Sequence, residues 1–313
     1  MFLTARILFL NEEDYIEYVI RSIYPAVESI VIVEGCIEEY GKTSGQYTPD
    51  GLSTDRSSEL INDFITAEDP DGKIKYSQYG FAKCYGELAN FAVTLIPHQT
   101  THFLNVDSDE VYCPKDILGI KGLFSKFPGL CGVAVDRMHF YLDFWTLRHN
   151  VQAKKLEVTG GTMFRKFYPG ELYPEKRAEH NPSFAGKSMT HFWHPWWEDD
   201  LEEGIAVAKK ENLEGITWRR KVMPQFHYGW VRQIEKMTER LVQTYRRVDA
   251  YSGSNKYTSM TDEELIEFLQ LYNPVFTGVG DSEDTLQNYV DRHPDVMRAH
   301  PFYGMRKEDF GWP

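Results

Sequence analysis

Asp107-Ser108-Asp109 sets two carboxylates one residue apart, directly after the apolar run His102 to Val106. Where the chain leaves its extended conformation at such a point, both can reach one hard divalent cation, and oxygen donors suit Mg²⁺ or Mn²⁺. Two carboxylates leave several octahedral positions open, which a diphosphate can fill, so the pair is suited to offsetting the charge of a leaving nucleoside diphosphate. In a chain with 47 Asp and Glu, an Asp-x-Asp also reads as an acidic turn. Glu34 has a similar position, immediately after the β-branched run Ser29 to Val33. What surrounds these residues decides between the readings.

The elements that position them follow from periodicity. Leu3 to Leu10 reads as a buried strand. Tyr15, Val19, Ile20 and Ile23 then fall on one helical face until Pro25 stops the helix. Ser53-Thr54-Asp55 offers N-cap chemistry for a helix with Leu60, Ile61, Phe64 and Ile65 on one stripe, and Lys73 to Tyr79 alternates like a strand. A helix across Lys83 to Leu95 and the strand His102 to Val106 complete a regular alternation. Over the first 106 residues that alternation predicts a parallel, doubly wound sheet whose ligands bind beyond the strands' carboxyl ends, where Glu34 and Asp107 fall. Further strands are expected at Leu130 to Val135, Lys155 to Thr159, Thr162 to Phe167 and Ser188 to Trp193, with a helix around Lys115 to Phe127. Helices are expected at Asp200 to Asn212, Val231 to Val248 and Thr261 to Leu271, and the Gly- and Pro-rich tail after Asn273 is expected to wrap the surface. The fold class expected is α/β, a mixed Rossmann-like sheet flanked by helices with a C-terminal helical extension. The expected division is 1–225, made of halves 1–112 and 113–225, followed by 226–313.

The segments "ILFLNEEDYIEYVIRSI", "IVIVEG", "GLSTDRSSELI", "KCYGELANFAV" and "FLNVDSDE" occur in that order, and over about residues 3 to 112 the sequence resembles the family-2-like glycosyltransferases of the GT-A fold. The resemblance implies inverting transfer of a sugar from a nucleoside-diphosphate sugar, a UDP- or GDP-sugar, to an acceptor hydroxyl on a glycan or lipid-linked glycan. It implies Mn²⁺ or Mg²⁺ at Asp107 and Asp109, with His227 of "QFHYGWVR" as a further contact to metal or diphosphate. By the same resemblance, Leu10 and Glu12 contact the nucleoside, Glu34 holds its base or ribose, Lys83 meets phosphate, and Asn90 and Ser108 belong to the donor site. The family more often has Asp at the Glu34 position. An inverting transferase also needs a base, usually Asp or Glu, to take the acceptor's proton. Asp199, in the acidic helix start after Trp196-Trp197, and Glu179, beside His180, are the candidates. The stretch from Cys36 to Asp50, where the family's segments lie nearly adjacent, reads either as a lid over the donor or as a surface loop.

Composition narrows the alternatives. Hydrophobic residues make up 42% and charged residues 26%, which suits a folded globular chain. Thirty-four Lys and Arg against 47 Asp and Glu give a net charge of −13, which repels nucleic acid. Cys36, Cys84, Cys113 and Cys131 form no CxxC pair, and His191 and His194 point to opposite faces of a strand, so structural zinc is not expected. No apolar run approaches the roughly 20 residues that span a bilayer. A cytoplasmic protein is expected, with peripheral membrane contact left open. Gly278-Val279-Gly280 lacks a dinucleotide-binding context. Arg232 reads as a helix-surface arginine or as an aid to the diphosphate, and Arg219-Arg220-Lys221 and the run from Arg240 to Arg247 read as solvated helix faces or as a patch for an anionic lipid or phosphorylated glycan. Two other functions remain at this stage: a nucleotidyltransferase, against which the acidic "LNEED" loop argues, and a non-catalytic glycan- or nucleotide-binding protein.

Overall fold

In the computed structural model, the structure describes residues 1–38, 47–150, 164–173, 183–184, 187–188, 193–196, 200–252, 256–257, 259–272, 284–289 and 291–312. In chain order these form β1 (Leu3–Phe9), α1 (Ile16–Ile23), β2 (Ser29–Ile37), α2 (Ser57–Glu68), β3 (Ile74–Ala82), α3 (Tyr85–Thr94), β4 (His102–Asp107), β5 (Glu110–Val111) and α4 (Pro114–Lys126). They continue with β6 (Leu130–Tyr141), β7 (Thr146–Asn150), β8 (Phe164–Lys166), β9 (Ser183–Phe184), β10 (Lys187–Ser188), β11 (Trp193–Trp196), α5 (Leu201–Lys210), β12 (Gly215–Trp230), α6 (Ile234–Ser252), α7 (Asp262–Tyr272) and β13 (Asp284–Asn288).

The main sheet has the order β11-β12-β6-β8-β4-β1-β2-β3, and along it only β8 runs against its neighbours. This is the mixed α/β sheet flanked by helices that the alternation predicts. β1 lies between β2 and β4, with Phe9 opposite Glu34 and Leu8 opposite Asp107, so all three strands end at one edge. Almost every residue of β1 and β2 is buried, as expected for central parallel strands covered on both faces. Helix α1 covers one face through Ile16, Val19, Ile20 and Ile23, and α3 covers the other through Leu88 and Ala92.

Three elements depart from the sequence reading. β12 runs for 16 residues and crosses the expected 225/226 boundary, pairing with β6 on both sides of it. Its register shifts between Arg220 and Pro224, where the proline, with no N–H to give a ladder, hides the strand from any periodicity argument. β7 and β13 form an antiparallel pair that the sequence reading did not contain. The tail is not a surface wrap: Met297, Phe310 and Trp312 are buried in the main core, and Trp312 Nε1 donates to the carbonyl of Arg232 at 3.3 Å. The strand expected over Lys155 to Thr159 lies outside the described residues.

The tail also buries His300, whose Nε2 donates to the Asp14 carbonyl at 2.7 Å while Nδ1 accepts from the Phe302 N–H at 3.1 Å. A second proton would set two donors against each other, and burial adds to this, so the imidazole is pushed down from 6.5 to about 4. The unfolded chain then binds a proton below pH 6.5 that the native chain refuses until about pH 4. Stability to urea therefore falls as the pH drops through that window, by up to about 1.4 kcal/mol per unit for this group. His300→Gln retains a donor for Asp14 and is expected to flatten the profile by that share; an unchanged slope would contradict this account of the buried tail.

Candidate functional site

Strand pairing assembles the site. The chain leaves β4 at Asp107, turns, and returns as β5, which pairs antiparallel with β12 so that Glu110 faces His227 and Val111 faces Phe226. The Tyr228 N–H donates to the Asp109 carbonyl at 3.0 Å, fixing the acidic turn against β12. β6 pairs with the other edge of β12, bringing Arg137 opposite Gln225 and His139 opposite His227. Alternate residues of a strand share a face, so Arg137, His139, Gln225 and His227 converge on the turn. Helix α6 adds Arg240 and Thr244. The result is a cleft of about 450 Å³ at the carboxyl edge of the sheet. Its walls are Leu8 to Leu10 and Glu12 after β1, Gly35 to Ile37 at the end of β2, Asp107 to Asp109, and these β6, β12 and α6 side chains.

The electrostatics centre on Asp109, which is 2% exposed. One carboxylate oxygen takes a charge-assisted bond from Arg240 Nη2, and the other lies 3.5 Å from His227 Nε2. Burial acts to raise its carboxyl, but the charges of Arg240, Arg232 and Arg137, joined by His227 in the acid range where that imidazole is protonated, hold it far below the usual range. His227 is pushed down to about 4, chiefly by burial, so it is neutral at physiological pH; its Nδ1 lies 3.3 Å from His139 Nδ1. Glu110 is fully buried, accepts from the Asp107 backbone N–H at 2.9 Å and from Gln225, and pairs with Arg137; burial and then Asp107 push its carboxyl upward. Glu110 and Arg137 therefore brace the turn, leaving the Asp107 side chain 56% exposed at the cleft mouth and 3.7 Å from Arg137.

Of the residues expected at the site, Leu10, Glu12, Asp107, Ser108, Asp109 and His227 line this cleft. The carboxylate of Glu12 is taken by Arg232 and Arg240 rather than being directed at a nucleoside. Glu34, Lys83 and Asn90 are not among the cleft-lining residues. Glu34 is fully buried and accepts from the Ser53 N–H, the Ser58 and Tyr76 hydroxyls and the Gln78 amide, which uses its acceptor capacity within the protein. Asn90 clamps the Tyr173 backbone through both amide atoms at 2.6 and 3.0 Å, and Lys83 is exposed ahead of α3. Asp199 and Glu179 lie outside the described residues.

Arg232 and Arg240 are not solvated helix faces. Arg232 is 4% exposed, precedes α6, pairs with Glu12 and Asp14, and lies over the Tyr15 ring. Arg137, His139, Tyr85 and Trp230 also line the cleft and were missed. The first two are visible only through the β6–β12 register. The stretch from 36 to 50 does reach the cleft: Tyr47 lines it and packs edge-on against Phe81 at 5.3 Å. Gly51 and Gly80, both at positive φ, allow the loop to lie against β3, since a Cβ on Gly51 would come within 2.8 Å of the β3 backbone. The segment 39–46 lies outside the described residues.

A hard divalent cation fits the donors present. Two cis ligands of an octahedral shell with bonds of about 2.1 Å lie about 3 Å apart, and Asp109 Oδ1 and His227 Nε2 are 3.5 Å apart. The neutral imidazole has the lone pair a metal needs, and Asp107 stands exposed on the open side. No group of three or more His, Cys, Asp or Glu able to hold a metal occurs among the described residues, so such a cation would take further oxygens from a ligand.

Gly229 makes the room for this cluster. A Cβ there would lie 2.3 Å from Asp109 Oδ2, 2.9 Å from His227 Cε1 and 3.0 Å from Arg240 Nη2. Gly229→Ala is expected to destabilise the protein by about 1–3 kcal/mol through overpacking. In an Asp109→Ala background the oxygen it meets is gone, and most of that cost is expected to disappear. Equal costs in both backgrounds, measured by urea denaturation, would contradict this packing.

No family model matches the chain, and no curated protein matches it. Among solved structures, S. aureus TarS 1–349 in complex with UDP-GlcNAc is similar at a TM-score of 0.34 and 16% identity, over 45% of this chain and 35% of that one. The mannosyltransferase PcManGT from Pyrobaculum calidifontis, in complex with GDP-Man and Mn²⁺, is similar at a TM-score of 0.43 and 9% identity, over 88% of this chain and 72% of that one. Glucosyl-3-phosphoglycerate synthase from Mycobacterium tuberculosis, with Mn²⁺, UDP-Glc and phosphoglyceric acid, is similar at a TM-score of 0.39 and 12% identity, over 80% and 78% of the two chains. These are likenesses of overall architecture, and none assigns a role to a residue of this chain.

Proposed function

We propose that this protein is a divalent-cation-dependent glycosyltransferase that moves a sugar from a nucleoside-diphosphate sugar to an acceptor hydroxyl with inversion. The observation that carries the reading is the meeting of Asp107, Asp109 and neutral His227 with Arg240 in one cleft at the carboxyl edge of a mostly parallel sheet. That edge is where open α/β sheets bind their ligands. The acidic motif lies in the segment "FLNVDSDE", the last of the five that resemble family-2-like glycosyltransferases.

In this reading Asp109 and His227, with Asp107 at the mouth, would hold Mn²⁺ or Mg²⁺, and the cation would offset the charge developing on the leaving nucleoside diphosphate. The protein's own residues do the rest. Glu110 and Arg137 brace the turn that carries Asp107 and Asp109. Leu10, Gly35, Cys36 and Tyr47 supply a largely apolar wall for the nucleoside of a UDP- or GDP-sugar. Glu34 shapes that wall indirectly, by tying Ser53 and Ser58 to β3 through Tyr76 and Gln78. Transfer with inversion needs a base on the acceptor side, and Asp199 or Glu179 fills that role. The acceptor is a hydroxyl of a glycan or lipid-linked glycan. A cytoplasmic location belongs to the same reading, supported by Cys36, Cys84, Cys113 and Cys131, which are all free thiols. No helix among the described residues is long and apolar enough to cross a membrane.

Thermal unfolding with UDP, GDP, ADP and CDP, each with and without Mn²⁺, tests the donor site. A nucleotide at 100 times its Kd stabilises by about 2.7 kcal/mol, and one of the four is expected to do so only with the cation. Asp109→Asn is expected to abolish the shift. Asp199→Asn and Glu179→Gln are both expected to retain it while one of them loses sugar transfer. No shift with any nucleotide would contradict the donor site and favour a protein that binds glycan without turnover.

A further inference from the structure

Three arginines surround the acidic turn, and they are held differently. Arg232 is 4% exposed and locked between Glu12 and Asp14. Arg137 is 15% exposed and committed to Glu110. Arg240, on α6, is 31% exposed and divides its guanidinium between two acids: Nη2 to Asp109, and Nη1 to Glu12 Oε1 at 3.1 Å. Gly229 leaves the space through which the Nη2 arm reaches Asp109.

The arrangement creates a competition. A carboxylate that is 2% exposed must be neutralised, and Arg240 does this. The oxygen a divalent cation would use is the one beside His227, Oδ1, and Arg240 holds the other oxygen of the same carboxylate. Two cations cannot crowd one buried carboxylate without strong repulsion at low effective dielectric. A guanidinium displaced from Asp109 remains tethered through Glu12 and still borders the cleft. A diphosphate entering with the metal offers it a planar, two-pronged anionic partner.

We propose that Arg240 is an exchangeable counterion, neutralising Asp109 in the ligand-free protein and transferring its Nη2 arm to the diphosphate when a divalent cation takes Asp109. This rests on the donor-site reading above. Its consequence is that cation and nucleotide bind cooperatively, because each supplies the charge partner that the other's arrival removes. The cation alone must displace Arg240 with no anion to receive it; the nucleotide alone finds Arg240 already engaged.

Mn²⁺ binding followed by the electron paramagnetic resonance of the free ion, with and without UDP or GDP, tests the proposal on the full chain. In the wild type, saturating nucleotide is expected to tighten Mn²⁺ binding about tenfold or more. In Arg240→Gln, Mn²⁺ alone is expected to bind about three- to tenfold more tightly than to the wild type, because its competitor is gone, and the gain from nucleotide is expected to shrink below about threefold. Arg240→Lys keeps the charge without the fork and is expected to restore the competition while recovering only part of the coupling. The proposal is overturned if Arg240→Gln, shown folded by its circular dichroism and unfolding temperature, binds Mn²⁺ alone no better than the wild type, or keeps the full nucleotide effect. Should Arg240→Gln fail to fold, Arg240→Lys decides: wild-type coupling in it overturns the exchange. If the wild type binds Mn²⁺ under neither condition, the donor-site reading itself fails, an outcome distinct from intact wild-type coupling that ignores Arg240.

Discussion

A carboxylate buried at the end of a central strand has to be surrounded by positive charge, and the site of this protein is organised by that requirement at Asp109. Its backbone is pinned by Tyr228 of β12, its side chain is met by Arg240 and His227, and Gly229 is small so that they can meet. The acids on the neighbouring loop extend the pattern: Glu12 joins Arg240 to Arg232, and Asp14 joins Arg232 to Lys236. The loop after β1, the turn after β4 and the start of α6 are thereby tied into one charged lattice. A chain carrying a net charge of −13 places two arginines, Arg137 and Arg240, in the lining of this cleft. Because every charge in the lattice has a partner, the arrival of a ligand must rearrange pairs rather than fill an empty field.

The sheet supplies the rigidity for this. Asp107 lies at the end of β4, paired to β1, and His227 lies late in β12, paired to both β5 and β6. Ladder hydrogen bonds on both sides of His227 and on the β1 side of Asp107 leave these backbones little freedom, so strand register sets the positions from which the turn and loops of the cleft start. Glu110 makes the same point on a smaller scale. Its buried carboxylate spends its acceptors on the Asp107 N–H and Gln225, turning a flexible acidic turn into a defined one.

Much of this was legible in the amino-acid order, for identifiable reasons. The β1, β2 and β4 runs are largely apolar, interrupted by Thr4 and Arg6 in β1 and by Asn105 in β4, and their alternation with amphipathic helices dictates a parallel sheet whose carboxyl edge holds Asp107 and Asp109. Leu10, Glu12 and Ser108 came only from the resemblance to family-2-like glycosyltransferases. Arg137 and His139 did not emerge because their strand shows no local sign of a site; they face the cleft only through pairing with Gln225 and His227, a contact across nearly ninety residues. Arg240 looks from its neighbours like one more basic residue on a polar helix. Glu34 misled in the opposite sense: a strand-end carboxylate is placed correctly by the pattern, but its partners Ser53, Ser58, Tyr76 and Gln78 are assembled only by the fold. The tail misled because Gly and Pro content reports irregular backbone, not exposure, and His300, Phe310 and Trp312 are carried inward on that irregular path.

The central claim is that Asp109 and its partners handle the diphosphate of a nucleotide-activated sugar. The most direct measurement is release of nucleoside diphosphate from a panel of UDP- and GDP-sugars, with Mn²⁺ or with chelator, by the wild type and by Asp109→Asn. The account predicts release from one donor that requires the cation and falls by at least about a hundredfold in the variant, the loss typical when an interaction with developing transition-state charge is removed. Release that is indifferent to chelator and to Asp109→Asn, or none from any donor, would contradict it.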